Sequence, residues 1–172
     1  NLIKKNHKID QLSLDYKKLS NNQKDHYEYL SGFDALLNSV NGAHALIPHN
    51  RKFYYDPYSK KFYPIFYDAS PGSANRSLIK GWNIKIKELE VNEFKWGISK
   101  NSVIGSPIIL KRLKNLNLDE LYETSKLMGI KYNKKEYLEI LSSIKKNLKK
   151  ISEVKNKETN SHIINLNDYI KI

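Results

Sequence analysis

The stretch Gly42–Asp68, GAHALIPHNRKFYYDPYSKKFYPIFYD, decides how the chain is read. A polar loop carrying His44, His49 and Asn50 leads into an aromatic run, Lys52–Tyr55, and the chain turns at Asp56-Pro57. A second aromatic run, Lys61–Tyr67, follows and ends on the carboxylate of Asp68. Successive side chains of a strand point to opposite faces, so Phe53 and Tyr55 share one face and Lys52 and Tyr54 the other. Proline fixes φ, and Asp and Ser side chains bond turn backbone, so the punctuation between the runs predicts a hairpin. Such a hairpin brings Asn50 and Asp68, which flank its strands, to one end of a two-stranded ribbon. An amide oxygen and a carboxylate converging there are the donors that a hard divalent cation takes.

Outward from this centre the pattern is mostly helical. Asn1–Ser20 is polar and lysine-rich, with Ile9, Leu12, Leu14 and Leu19 apolar, and reads as a short helix or an extended arm. Asn21 or Asn22 is the expected N-cap of an amphipathic helix over Lys24–Val40, whose Tyr27, Leu30, Phe33, Leu37 and Val40 recur at helical spacing. Gly32 inside it marks close packing, and Asn41-Gly42 stops it. Beyond the hairpin, Ala69–Arg76 (ASPGSANR) is a loop. Trp82, Ile84 and Ile86, then Phe94, Trp96 and Ile98, alternate as short strands or packing arms. Ser106-Pro107 is read as the start of a helix through Leu113. Asn117 caps a second helix that ends near Gly129. Asn133 starts the longest helix, through about Lys155, on a stripe of Tyr137, Leu138, Leu141, Ile144, Leu148 and Ile151, with Lys145, Lys146, Lys149 and Lys150 as a solvated face. The fold class expected is α+β, mostly helical, with a central hairpin flanked by helices. Residues 1–155 form one domain, and 156–172 a linker and a tail that docks as a strand or frays.

A chain of 172 residues can bury about two-thirds of its unfolded surface, enough for a sizeable core. No apolar run approaches the ~20 residues of a membrane span. The chain opens on Asn without an initiator Met, and it reads as an excerpt of a longer protein. With no cysteine there is neither a disulfide scaffold nor a thiolate zinc site. The net charge of +12 invites a nucleic-acid reading. Against it, the chain is rich in Lys, Asn, Ile and Tyr, a mix that AT-rich coding sequence yields, and has only three arginines, Arg51, Arg76 and Arg112. Arginine is the usual residue for bidentate phosphate and base contacts.

Helix, loop ending in His49-Asn50, aromatic strand, Asp-Pro turn and Pro64-Ile65-Phe66-Tyr67-Asp68 together resemble the CotH kinase family, the spore-coat-type atypical protein kinases, which are related to HipA-like kinases. The resemblance covers Lys24–Ser70 well and Ser106–Lys150 loosely. It implies a protein-kinase-like C-terminal lobe, with Asn50 and Asp68 as Mg²⁺ ligands, ATP as nucleotide and a protein hydroxyl as acceptor. The nucleotide-gripping N-terminal lobe would then lie upstream. Hard oxygen ligands suit this chemistry, since phosphoryl transfer is mostly charge neutralisation and positioning. The sequence departs from the pattern at one place. The catalytic Asp expected five residues before the metal Asn is Ala45, and its neighbour is His44. An imidazole serves as a general base near neutral pH, so the segment fits an active kinase with His44 as base and a pseudokinase alike.

Other readings of these residues are plainer. Asp34 is read as a helix-surface carboxylate and Asp56 as a turn residue. His44 and His49 as a zinc pair have no suitably spaced third ligand. The tyrosines between Phe53 and Tyr67, with lysines interleaved, are the make-up of a single-strand nucleic-acid or protein-interaction surface without catalysis.

Overall fold

The computed structural model describes residues 12–69, 86–94, 97–129, 131–154 and 162–163. Among these are five α-helices and two small sheets, an α+β and mostly helical architecture. Strand β1 (Leu12–Ser13) leads to the short α1 (Tyr16–Leu19), capped by the Asp15 carboxylate on the Lys17 and Lys18 amides. Helix α2 is Lys24–Ser39. Asn21 and Asn22 do not cap it. Both take left-handed backbone, with φ of 51° and 59°, and Gln23 holds the cap position. Asn tolerates that conformation because its side chain bonds locally, so the two residues turn the chain between the helices. Asn41, with φ 56°, ends α2 in the same way.

A 3₁₀ turn, Ala43–Leu46, follows, then β2 (Lys52–Asp56) and β3 (Lys61–Ile65) pair as the expected antiparallel hairpin. The Asp56 carboxylate accepts from the Tyr58 and Ser59 amides and the Ser59 hydroxyl, at 3.0, 3.3 and 2.6 Å. The second strand stops at Ile65, short of the expected Tyr67. Its register is set by what Pro64 lacks. His26 Nε2 donates to the Phe62 carbonyl at 2.8 Å, so the Phe62 backbone points away from β2. Phe53↔Pro64 and Tyr55↔Phe62 are therefore the non-hydrogen-bonded pairs, and Pro64 forfeits no ladder bond. Phe53 and Phe62 pack with Tyr16, Leu19 and Leu30, which docks the ribbon on α1 and α2.

Helix α3 is Lys100–Lys114, capped by Ser99, and starts well before the expected Ser106. Ser106 and Pro107 lie inside it. The Ser99 hydroxyl accepts from the Ser102 amide at 3.0 Å, the true N-cap bond, and Pro107 sits on the exposed side. Asn117 caps α4 (Leu118–Leu127), Gly129 follows it at φ 89°, and Asn133 caps α5 (Lys134–Glu153) in a reciprocal box with Glu136, all as the pattern indicates. Ala35, Ile109 and Leu148 form the heart of α2, α3 and α5. Helices α2 and α3 approach so closely that a Cβ on Gly105 would stand 2.0 Å from the Ser31 carbonyl oxygen. The close packing expected of Gly32 holds too, since a Cβ there would meet Ile109 Cδ1 at 2.8 Å.

The lysines of α5 are not simply a solvated face. Lys146 and Lys150 bind Glu88 at 2.9 and 3.1 Å, and Lys150 binds Glu90 at 2.7 Å. Residues 86–94 form no strand but a stapled arm with a 3₁₀ turn at Val91–Glu93, while Phe94 and Ile98 bury against Ile151. The tail contributes β4 (His162–Ile163), parallel to β1. Trp82, Ile84, Trp96 and the rest of the expected loop and tail lie outside the described residues. Among the described residues no helix is long and apolar enough to cross a membrane.

Candidate functional site

The loop from Ala43 to Arg51 is held from beneath by apolar burial. Ala43, Ala45 and Leu46 sink into a cluster with Leu37 and Ala69. Ala45, at the position where a catalytic Asp was looked for, is 4% exposed and serves as core. The same 3₁₀ turn directs its neighbour His44 outward, to the end of the hairpin.

There the three residues singled out from sequence meet. Asn50 Nδ2 lies 3.2 Å from Asp68 Oδ2 and 3.1 Å from the His44 carbonyl oxygen. His44 Nδ1 lies 2.8 Å from the Asp68 carbonyl oxygen and 3.4 Å from its carboxylate. Only a protonated Nδ1 can bond a carbonyl, so Nδ1–H donates to Asp68, and in the neutral ring Nε2, 3.5 Å from Asn50 Nδ2, is the accepting nitrogen. In that tautomer the 3.1 Å approach of Asn50 Nδ2 to Nδ1 is proximity rather than a hydrogen bond. Asn50 is 5% exposed, whereas the Asp68 side chain is about half open at 48%. Asp68 has φ 45°, left-handed backbone unusual outside glycine. Such conformations persist where surrounding structure holds them, and here the backbone carbonyl is held by His44.

Behind the site lies a buried charged cluster. Arg51, next to Asn50, places Nη2 2.9 Å from Asp34 Oδ2 and Nη1 2.9 Å from the Tyr16 hydroxyl, which donates to Asp34 Oδ1 at 2.6 Å. Asp34 is fully buried, not a helix-surface carboxylate. Its periodicity carried the signal. It stands four residues after Leu30 and three before Leu37, inside the apolar stripe rather than opposite it. Burial pushes the Asp34 carboxyl up, against the pull of Arg51 and Tyr16. Burial also pushes the Tyr16 phenol well up, and for Arg51 the two partners outweigh burial and hold it charged. The cluster ties α1, α2 and the residue after Asn50 into one frame.

His44 and His49 stand edge to face with ring centres 6.3 Å apart. Among the described residues no three His, Asp or Glu side chains gather as a metal site. Asn50 Oδ1 and the Asp68 carboxylate could supply two protein oxygens at most. A two-ligand set fits Mg²⁺, which keeps several waters and shares phosphate oxygens rather than sitting in an all-protein cage. The amide now turns its nitrogen to the carboxylate. That nitrogen, the positive end of the amide dipole, rests between the Asp68 carboxylate and the His44 carbonyl oxygen, and only a half-turn of the amide would present Oδ1 there instead. No family model matches the chain, and no curated protein or solved structure matches it.

Proposed function

We propose that the chain is the C-terminal lobe of an atypical, CotH-like protein kinase that transfers the γ-phosphoryl of ATP to a protein hydroxyl. The observation that carries this reading is the meeting of Asn50, Asp68 and His44 at the base of the hairpin. Asn50 and Asp68 would hold Mg²⁺, which when bound neutralises phosphate charge and fixes the phosphates in place. The half-open Asp68 carboxylate offers itself to solvent, while the nearly buried Asn50 is fixed by the frame beneath it. His44 Nε2 would take the proton of the attacking hydroxyl as its oxygen bonds the γ-phosphorus, and the β–γ bridging oxygen departs with ADP. The Asp68 carbonyl orients that imidazole for the task.

The test uses Mn²⁺, which substitutes for Mg²⁺ and broadens nearby NMR signals. With Mn²⁺ added, the Asn50 side-chain amide and the Asp68 amide of the 172-residue chain should broaden first. Asp68→Asn keeps size and tolerates the same backbone but removes the charge, and should weaken this by at least about tenfold. Equal broadening in both proteins would end the metal role. The alternative is a basic, aromatic binding domain without catalysis, favoured by the exposure of Tyr54, Tyr58 and Phe66 at 57%, 97% and 60%. Such a domain would tolerate Asp68→Asn in every binding assay.

A further inference from the structure

We infer that the outer edge of β2 is a docking edge on which an extended acidic polypeptide adds as a third strand. The inference rests on the reading of the adjacent site as one that modifies a protein, and it names how such a substrate is held. The register leaves little choice about which groups are available. Because Tyr55↔Phe62 and Phe53↔Pro64 are non-hydrogen-bonded pairs, the amides and carbonyls of Phe53 and Tyr55 point away from β3. On the β3 side the equivalent Phe62 carbonyl is taken by His26 of α2. On the β2 side no described strand pairs. An open edge of this kind is a template for another strand, and an incoming peptide gains affinity from main-chain bonds and specificity from alternate side chains.

Charge and continuity identify the occupant. From Lys52 to Tyr67 the ribbon carries Lys52, Lys60 and Lys61 against Asp56 alone, and the Asp56 carboxylate is occupied by the turn. Lys52 is exposed and sits 5.9 Å over the ring of Tyr67, so a glutamate beside the edge finds a cation already in place. Exposed Tyr55, on the face opposite Lys52, offers its ring to the apolar side chains between such glutamates. The edge begins at Lys52, two residues from Asn50, so a strand laid along it runs directly to the candidate site. Single-stranded nucleic acid would use the same rings and lysines, but it has no use for amides and carbonyls spaced at the strand repeat.

The experiment titrates the 172-residue chain with a fluorescent ten-residue peptide of alternating Glu and Val containing one Ser. Two matched peptides are N-methylated at alternate residues, in opposite registers. A third strand predicts that one register loses roughly tenfold or more in affinity, while the other binds as the parent does. The Phe53 and Tyr55 amides should gain protection from hydrogen exchange in the wild-type chain when the parent peptide is added. Tyr55→Pro removes an outward N–H without touching the ladder, and should abolish peptide binding while Mn²⁺ broadening at Asn50 persists. Equal binding of both N-methylated peptides overturns the inference, because charge alone is then responsible. So does protection of these amides by an oligo-dT strand but not by the peptide, or protection already present through self-association. Register-dependent binding together with unchanged Mn²⁺ broadening in Asp68→Asn upholds the edge and removes the metal role of the adjacent site. Loss of Mn²⁺ binding in Asp68→Asn with peptide binding intact upholds both.

Discussion

Asp34 is the residue on which reading and structure part most sharply, and the reason is physical. A carboxylate on an amphipathic helix is ordinarily solvated, but this one lies in the apolar stripe and can ionise there only because Arg51 and Tyr16 come from elsewhere to meet it. No local pattern announces a partner 17 positions away. Removing one member of a buried pair leaves an uncompensated charge, so Asp34→Ala should cost about 3–5 kcal/mol, measured by urea unfolding. Replacing Tyr16, Asp34 and Arg51 together by apolar residues of similar volume should recover most of that loss. Asn50 and Asp68, by contrast, were legible, since the hairpin between them fixes their ends whatever lies behind. The left-handed Asp68 was not, because nothing in Tyr-Asp-Ala demands it.

Among the elements, the hairpin and the long helix were visible because each carries its own signal: alternation with an Asp-Pro turn in one, an Asn cap and heptad-like stripe in the other. The start of α3 was not, because Ser106-Pro107 imitates a helix beginning that Ser99 actually supplies. Serines 99, 102 and 106 are instead part of a polar seam against α2, where Asn38 donates to the Ser102 hydroxyl. The two glycines of this contact should behave differently when given a methyl group. At Gly32 the obstacle is the end of the Ile109 side chain, which can move, so Gly32→Ala should cost about 1–3 kcal/mol. At Gly105 the obstacle is Ser31 backbone, so Gly105→Ala should be clearly the worse of the two in thermal melts. The docking of β3 on α2 should respond to acid. Burial and the nearby Lys61 hold the His26 imidazole below its ordinary value of 6.5, although its bond to Phe62 opposes them. The unfolded chain then binds a proton that the folded one refuses, so stability from this group is present above 6.5 and lost as pH falls through the window beneath it. The melting temperature should drop between about pH 7 and pH 5, and His26→Gln should flatten the profile. The carboxylates of Asp56, Glu88 and Glu93, held low mainly by their hydrogen bonds, come into play only at more acid pH.

At the scale of the molecule, one amide fastens three separate segments. Asn147 of α5 donates to the Ser39 and Lys87 carbonyls at 2.8 and 2.9 Å and accepts from the Leu89 amide at 2.8 Å. The irregular arm at 86–94, one of the two forms its alternating pattern allows, therefore depends on a residue far along the chain. Asn147→Leu would leave the Ser39 carbonyl and the Leu89 amide buried without partners, at about 1–3 kcal/mol each, and calorimetry should register that loss. Arg51 has a different consequence for anyone mapping the protein genetically. It is joined by a single peptide bond to Asn50, so the interior anchor and the amide at the base of the hairpin share a backbone, and a shift of one is passed to the other. Damage to Tyr16 or Asp34, neither of which faces solvent, would surface in a screen disguised as a defect of the ribbon's base. Scoring ion capture per folded molecule, rather than per cell, would unmask it.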